Sequence, residues 1–206
     1  KALRNSSSAP AERIALLPFA GGVDIVLYEP SKGDYSRLQD IFSEYIYSRT
    51  MDESLSERVG AMLTEKGLTL STAESCTAGL VSKLITDVPG SSQYFKGGVT
   101  AYSNEIKLRI LDVDSEILDK HGAVSRQTAE AMAQGIRRLM KSDIGISVTG
   151  IAGPGGGTDD KPAGLVYMAV AFNKTTSFKY IFNGSRSSNR NFSAHYLLFN
   201  LYRRLR

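Results

Sequence analysis

The stretch Leu68-Thr69-Leu70-Ser71-Thr72-Ala73-Glu74-Ser75-Cys76-Thr77-Ala78-Gly79-Leu80-Val81-Ser82-Lys83-Leu84-Ile85-Thr86 decides the fold. Its first part, Leu68 to Thr72, reads as a strand, and Thr77 to Thr86 has a helical pattern that ends before Pro89-Gly90. Upstream, Leu55, Val59 and Leu63 share one face of a helix over residues 53–66, with Asp52 as cap and Gly67 as stop. Downstream, Phe95 to Tyr102 reads as a strand despite Gly97 and Gly98. Helical stretches follow from Asn104 to Leu111 and from Ser115 to Lys120. Ser125 caps a helix whose face is Ala129, Met132, Ala133, Ile136, Leu139 and Met140. Ile144, Ile146 and Val148 alternate as a strand, and Leu165 to Phe172 with Ser177 to Phe182 read as a hairpin around Asn173 to Thr176. An amphipathic helix from about Asn189 to Arg204 carries Phe192, Tyr196, Phe199 and Leu201. Helices alternating with strands and a terminal antiparallel pair predict a layered α/β/α domain with a mixed sheet.

Residues 1–50 differ. Asn5 to Pro10 is polar and Ser-rich, Ile14 to Leu17 and Val23 to Tyr28 read as short strands, and Tyr35 to Ile46 as a helix. Two strands and a helix bury little, so this short partial α+β segment is expected to be the tail of an upstream domain or a docking appendage. The second segment then runs over residues 51–206. Lys1 at the start, with no signal peptide after it, reads as a piece of a longer chain.

Composition narrows the function. Of 206 residues, 42% are hydrophobic and 22% charged, which suits a real core. The best apolar run, Ile14 to Leu27, is broken by Pro18, Gly21, Gly22 and Asp24, so no membrane span is expected. One cysteine, Cys76, excludes an intrachain disulfide and a cysteine-based zinc cluster, and points to the cytoplasm. Two histidines, His121 and His195, leave no histidine-rich metal site and only two possible bases for a Ser-His-Asp triad. The net charge of +4 owes three charges to Arg203, Arg204 and Arg206, leaving the body too balanced for a broad nucleic-acid footprint.

Ligands of open α/β sheets bind beyond the carboxyl ends of the strands. Two loops qualify. Gly150-Ile151-Ala152-Gly153-Pro154-Gly155-Gly156-Gly157 holds five glycines in eight residues, suited to presenting backbone amides to an anion or oxyanion. It completes neither a Walker loop nor G-x-G-x-x-G, and a long loop held by Pro154 and Pro162 is the plainer alternative. In the other loop, Ser75 and Cys76 begin the predicted helix, where a nucleophile is exposed and the dipole favours negative charge. Glu74, Ser75 and Thr77 read equally as capping residues, and a buried cysteine is commonly inert packing.

With histidine scarce, lysine is the expected base for any serine nucleophile. Lys107 sits in the first turn of a helix that Asn104 is predicted to cap, where dipole and desolvation both favour its neutral form. A helical lysine facing water is the alternative. His121 reads as a loop or helix-end residue, and Glu116 with Asp119 as a solvated face. Arg186 and Arg190, four apart, read as a phosphate or carboxylate clamp or as a solvated face.

Four separated motifs in one order now carry a resemblance: Thr72-Ala73-Glu74-Ser75-Cys76-Thr77, Gly97-Gly98-Val99-Thr100-Ala101-Tyr102-Ser103-Asn104-Glu105, His121-Gly122-Ala123-Val124-Ser125 and Thr149-Gly150-Ile151-Ala152-Gly153-Pro154-Gly155-Gly156. Over about residues 51–206 the chain resembles the CinA C-terminal domain family, and residues 1–50 resemble the end of the middle domain of longer CinA proteins. The resemblance implies a nicotinamide-nucleotide amidohydrolase, converting nicotinamide mononucleotide to nicotinate mononucleotide and ammonia without metal or other cofactor. It also implies Ser75 as nucleophile, Lys107 as base and Tyr102 as its companion. Glu74, Cys76, Thr77, Thr149, Gly150, Gly153, Gly155 and Gly156 are implied to surround the substrate, and Arg186 to meet its phosphate. A homo-oligomer is expected, with upstream CinA domains as partners in a longer chain. Where the family has Gly-Gly after the threonine, this chain has Ala78-Gly79. Rival readings are a non-catalytic nucleotide-binding or scaffold module, a thiol amidase using Cys76, and a nucleic-acid module.

Overall fold

The computed structural model describes residues 14–19, 22–28, 30–50 and 52–206. The Ser-rich lead at Asn5 to Pro10 lies outside them. The chain divides into two compact units between Ser54 and Leu55. In the first, β1 (Ile14–Phe19) pairs antiparallel with β2 (Gly22–Leu27), and α1 (Lys32–Phe42) follows. Ser31 and Asp34 start α1 as a reciprocal capping box, three residues before the predicted Tyr35.

The second unit is the layered α/β/α domain with a mixed sheet. Its order is α2 (Leu55–Glu65), β3 (Leu70–Glu74), α3 (Leu80–Thr86), β4 (Phe95–Thr100), α4 (Asn104–Arg109), α5 (Ser115–His121), α6 (Arg126–Met140), β5 (Ile144–Gly150), β6 (Leu165–Phe172), β7 (Lys174–Ile181) and α7 (Arg186–Leu205). The five strands run β4-β3-β5-β6-β7: β3 is parallel to β4 and β5, while β6 is antiparallel to β5 and to β7. The hairpin turns on Asn173 alone, at φ 48, so Lys174 to Thr176 extend β7 rather than form a loop.

The core follows from strand alternation. On β5, Ile144, Ile146 and Val148 are fully buried. Between them stand the small residues Gly145 and Ser147, so that α6 can lie close: a Cβ at Gly145 would stand 2.1 Å from the Ala133 carbonyl oxygen, and Ser147 Oγ donates to the Ala129 carbonyl. A strand buried on both faces is what a central position demands. Gly98 belongs to β4 for a related reason. A Cβ there would lie 2.1 Å from Thr72 Oγ1 on β3, so glycine sets the spacing of the two strands. The buried stripe of α7 is Ala194, Leu197, Leu198, Leu201, Tyr202 and Leu205, whereas Phe192 and Tyr196 stand half out in solvent.

Two predicted boundaries shift in a way that matters. The strand predicted at 68–72 is β3 at 70–74, and the helix predicted from Thr77 begins at Leu80. Ser75 to Gly79 form a turn between them, with Ala78 at φ 49 and Gly79 at φ 96. Ser75 therefore stands five residues ahead of a helix rather than at its start. The strand predicted to Tyr102 ends at Thr100, which frees Ala101 and Tyr102 to turn over the end of the sheet.

Candidate active site

The carboxyl ends of the three mutually parallel strands meet at one place. Ser75 follows β3, Ala101 and Tyr102 follow β4, and Gly150 ends β5. Together with Cys76, Asn104, Lys107, Ala123, Val124, Thr149, Ala152 and Arg186, from among these segments Ser75, Tyr102 and Gly150 line a cavity of about 200 Å³.

Lys107 is its central feature. The residue is 1% exposed, and its Nζ lies 3.2 Å from Ser75 Oγ, 2.8 Å from the Ala101 carbonyl oxygen, and 3.4 and 3.5 Å from those of Tyr102 and Ser103. No carboxylate makes a salt bridge with it among the described residues. Burial therefore pushes its pKa down from the ordinary lysine range, opposed only by the neighbouring Cys76 thiol. The predicted cause was partly a helix N-terminus. Instead α4 is six residues long, Ser103 rather than Asn104 caps it by accepting from the Ile106 amide, and Lys107 falls toward its end. Desolvation, not the dipole, does the shifting.

Glu74 has a role in the turn that capping arguments anticipate. Its carboxylate is 1% exposed and accepts from the amides of Gly79, Val81 and Ser82 and from Ser82 Oγ, at 2.7–3.1 Å. It caps α3 from six residues upstream instead of lining the cavity. Cys76 lines the cavity, and burial pushes its thiol up to about 12. Thr77 is fully buried, its hydroxyl without a partner among the described residues.

Thr149 Oγ1 donates to the Ala123 carbonyl, tying the end of β5 to the His121–Ser125 segment. Gly153 contributes its carbonyl, which accepts from Arg186 at 3.0 Å. Gly155 and Gly156 lie farther along the exposed loop and do not line the cavity. The loop is closed at its base by the pairing of Ile151 with Leu165 and Gly164, and Lys161 Nζ donates to the His121 carbonyl at the end of α5.

The companion predicted for Lys107 contacts it differently. Tyr102 is 60% exposed, and its hydroxyl accepts from Arg186 at 3.2 Å; only its main-chain carbonyl meets Lys107. The two arginines of α7 diverge as well. Arg186 crosses the mouth of the cavity to Gly153 and Tyr102, whereas Arg190 donates to the carbonyls of Cys76 and Thr77 at 3.1 and 2.8 Å. The pair is neither a joint clamp nor a solvated face. Asn189, Ala123, Val124 and Asn104 were not singled out as site residues. Asn189 bridges the Ala152 carbonyl and the Gly184 amide, a role with no sequence signal beyond its place beside Arg186 and Arg190.

The described helices include none long and apolar enough to cross a membrane. The model of the CinA C-terminal domain matches residues 52–205. A putative competence-damage inducible protein of Halothermothrix orenii is 49% identical over 165 residues, covering 79% of this chain and 40% of that protein. One of Desulforudis audaxviator is 55% identical over 141 residues, covering 68% of this chain and 34% of that one. The chain thus spans about two fifths or less of the length of these curated relatives. Among solved structures, a competence-damaged protein (CinA) superfamily protein from Enterobacter cloacae matches with TM-score 0.72 and 32% identity over 78% of this chain and 99% of that chain. A CinA superfamily protein from Klebsiella pneumoniae matches with TM-score 0.71 and 33% identity, over 73% and 95%. With a family model spanning the whole second unit and solved relatives that fold the same way over nearly their full length, this chain belongs to the CinA C-terminal domain family.

Proposed function

We propose that the site is a serine amidase acting on the carboxamide of nicotinamide mononucleotide, with Ser75 as nucleophile and Lys107 as general base. The observation that carries this reading is the buried Lys107 amine 3.2 Å from Ser75 Oγ, with carbonyl partners and no carboxylate among the described residues. A neutral amine has two N–H groups and one lone pair. The Ala101 carbonyl and one of its two successors accept the N–H groups, which leaves the lone pair for the Ser75 hydroxyl.

In the forward step Lys107 takes the Ser75 proton as Oγ bonds to the carboxamide carbon. The Ser75 amide already donates to Val148, Ala78 to Ser75 and Leu80 to Thr77, while Gly79, Val81 and Ser82 are held by Glu74. Among the described residues the amides of Cys76 and Thr77 are not so engaged, and we assign the oxyanion to them, each such donor contributing about 2.7 to 4 kcal/mol in comparable enzymes. The Lys107 ammonium then protonates the leaving nitrogen, ammonia departs, and water attacks the acyl-enzyme with Lys107 again as base. The carboxylate product leaves and Ser75 regains its proton.

The nucleotide comes from the family resemblance, and two features suit it. The cavity is smaller than the roughly 300–1,000 Å³ of a site that engulfs its ligand, so it takes the pyridine carboxamide and leaves the phosphate at the rim. Arg186 stands there with donors beyond the two it uses on Gly153 and Tyr102. A thiol amidase is disfavoured, because burial holds Cys76 in its protonated form. Ammonia release from nicotinamide mononucleotide compared with free nicotinamide tests the assignment. Turnover of the nucleotide well above that of nicotinamide supports it, and equal or absent turnover of both contradicts it.

A further inference from the structure

The turn that carries Ser75 holds a conformation it would not choose alone. Ala78 sits at φ 49, where a Cβ costs energy, and such strain persists only where the surroundings over-determine the backbone. Glu74 supplies one restraint by seizing the amides after the turn. Arg190 supplies the other. Its Nε donates to the Cys76 carbonyl at 3.1 Å and its terminal nitrogen to the Thr77 carbonyl at 2.8 Å, from a position 113 residues away in sequence.

Peptide planarity turns these two bonds into a statement about donors. In a trans peptide the N–H points opposite to the C=O. Holding the Cys76 carbonyl on the guanidinium side directs the Thr77 N–H away from it, and holding the Thr77 carbonyl directs the Ala78 N–H away too. The latter does point back, donating to the Ser75 carbonyl at 3.2 Å. That bond in turn commits the Ser75–Cys76 peptide, whose carbonyl faces inward and whose Cys76 N–H faces the other way. A cation on both carbonyls also polarises these peptides, strengthening their N–H groups as donors.

From this we infer that Arg190 is a positioning residue for the nucleophile turn: it fixes the peptides of Cys76 and Thr77 so that their amides receive the oxyanion formed at Ser75. The inference rests on Ser75 being the nucleophile. It divides the labour of α7, whose residues four apart share a face. Arg186 serves the rim of the cavity and Arg190 serves the attacking residue, so substrate affinity and nucleophile reactivity depend on different guanidiniums.

A fluorophosphonate probe that phosphonylates activated serines, expelling fluoride, reads this without relying on any amide substrate. The labelling rate of Ser75, located by peptide mapping, is compared in the wild type, Arg190→Lys and Arg190→Ala, with calorimetric binding of nicotinamide mononucleotide in parallel. Arg190→Ala is expected to label roughly 100-fold or more slowly, to recover in part with guanidinium added below denaturing concentration, and to bind the nucleotide as wild type does. Arg190→Lys, which keeps the charge but offers one carbonyl at a time a strong donor, is expected to fall between. Labelling of Arg190→Ala at the wild-type rate overturns the inference. So does a loss that neither guanidinium nor lysine restores and that tracks a fall in melting temperature, since that marks a merely structural arginine. A wild type that never labels at Ser75 overturns the nucleophile itself, and is told apart because it precedes any variant.

Discussion

Lys107 and Ser75, 32 positions apart, are brought within 3.2 Å by the parallel pairing of β3 with β4, which ends both strands at the same level and lets Ala101 turn its carbonyl toward the lysine. The pairing explains why the lysine that meets Ser75 comes from a short helix after the neighbouring strand and not from Ser75's own loop.

The acid–base behaviour of this lysine follows from its burial. The proposed mechanism needs the neutral amine, so it predicts a rate that rises with pH along a limb set by Lys107 and lying below the ordinary lysine range. Lys107→Met should abolish it. A flat profile across the neutral to alkaline range would contradict the assignment.

Stability carries the same sign. The folded state disfavours the ammonium, so between the depressed folded pKa and the ordinary unfolded one the unfolded chain binds more protons, and stability rises with pH. The lysine is most costly below that window. Melting temperatures of wild type and Lys107→Met should therefore shift in favour of the wild type as pH is raised, and a gap independent of pH would count against a buried, depressed lysine.

In the proposed mechanism the rim arginine and its tyrosine separate binding from chemistry. Arg186→Ala is expected to raise KM for the nucleotide roughly 10- to 100-fold, the worth of hydrogen bonds to a charged group, with a smaller change in kcat. Tyr102→Phe removes a hydroxyl that meets Arg186 and not Lys107, so kcat should change by less than about tenfold. A collapse of kcat in Tyr102→Phe would place that hydroxyl in the proton path.

Ala78 stands in the place of a family glycine, in a backbone conformation that favours glycine. It is exposed, outside α3, and strained at φ 49. Glycine there relieves about 1–2 kcal/mol of left-handed cost but gives back about 0.4–1 kcal/mol through the unfolded chain. Chemical denaturation of Ala78→Gly should show stability unchanged or raised by up to about 1.6 kcal/mol, and Ala78→Val should be clearly destabilised. Destabilisation by glycine would contradict the strain.

The segments that line the cavity were legible because their sequence signals are local. The strand-to-turn run around Ser75, the glycines after Thr149 and the scarcity of histidine all point to a serine with a lysine base, and strand alternation at Ile144, Ile146 and Val148 places the sheet centre. The misread parts depend on long-range partners. Whether residues 75–79 form a first helical turn or a separate loop is decided by Glu74 and by Arg190, which lies 113 residues beyond Thr77. Arg186 and Arg190 have the same spacing and type, and only the packing of α7 tells them apart. Tyr102, expected as the companion of Lys107, meets it through the main-chain carbonyl, while its hydroxyl follows a chain that turns off the sheet at Thr100, two residues earlier than alternation suggests.

The most direct test of the account is ammonia release from nicotinamide mononucleotide by purified wild type and Ser75→Ala, both with chelator present throughout. The account predicts steady turnover by the wild type and none above background in Ser75→Ala that melts as the wild type does. A folded wild type without turnover, or a Ser75→Ala variant that keeps it, would contradict the claim that this cavity is a serine amidase.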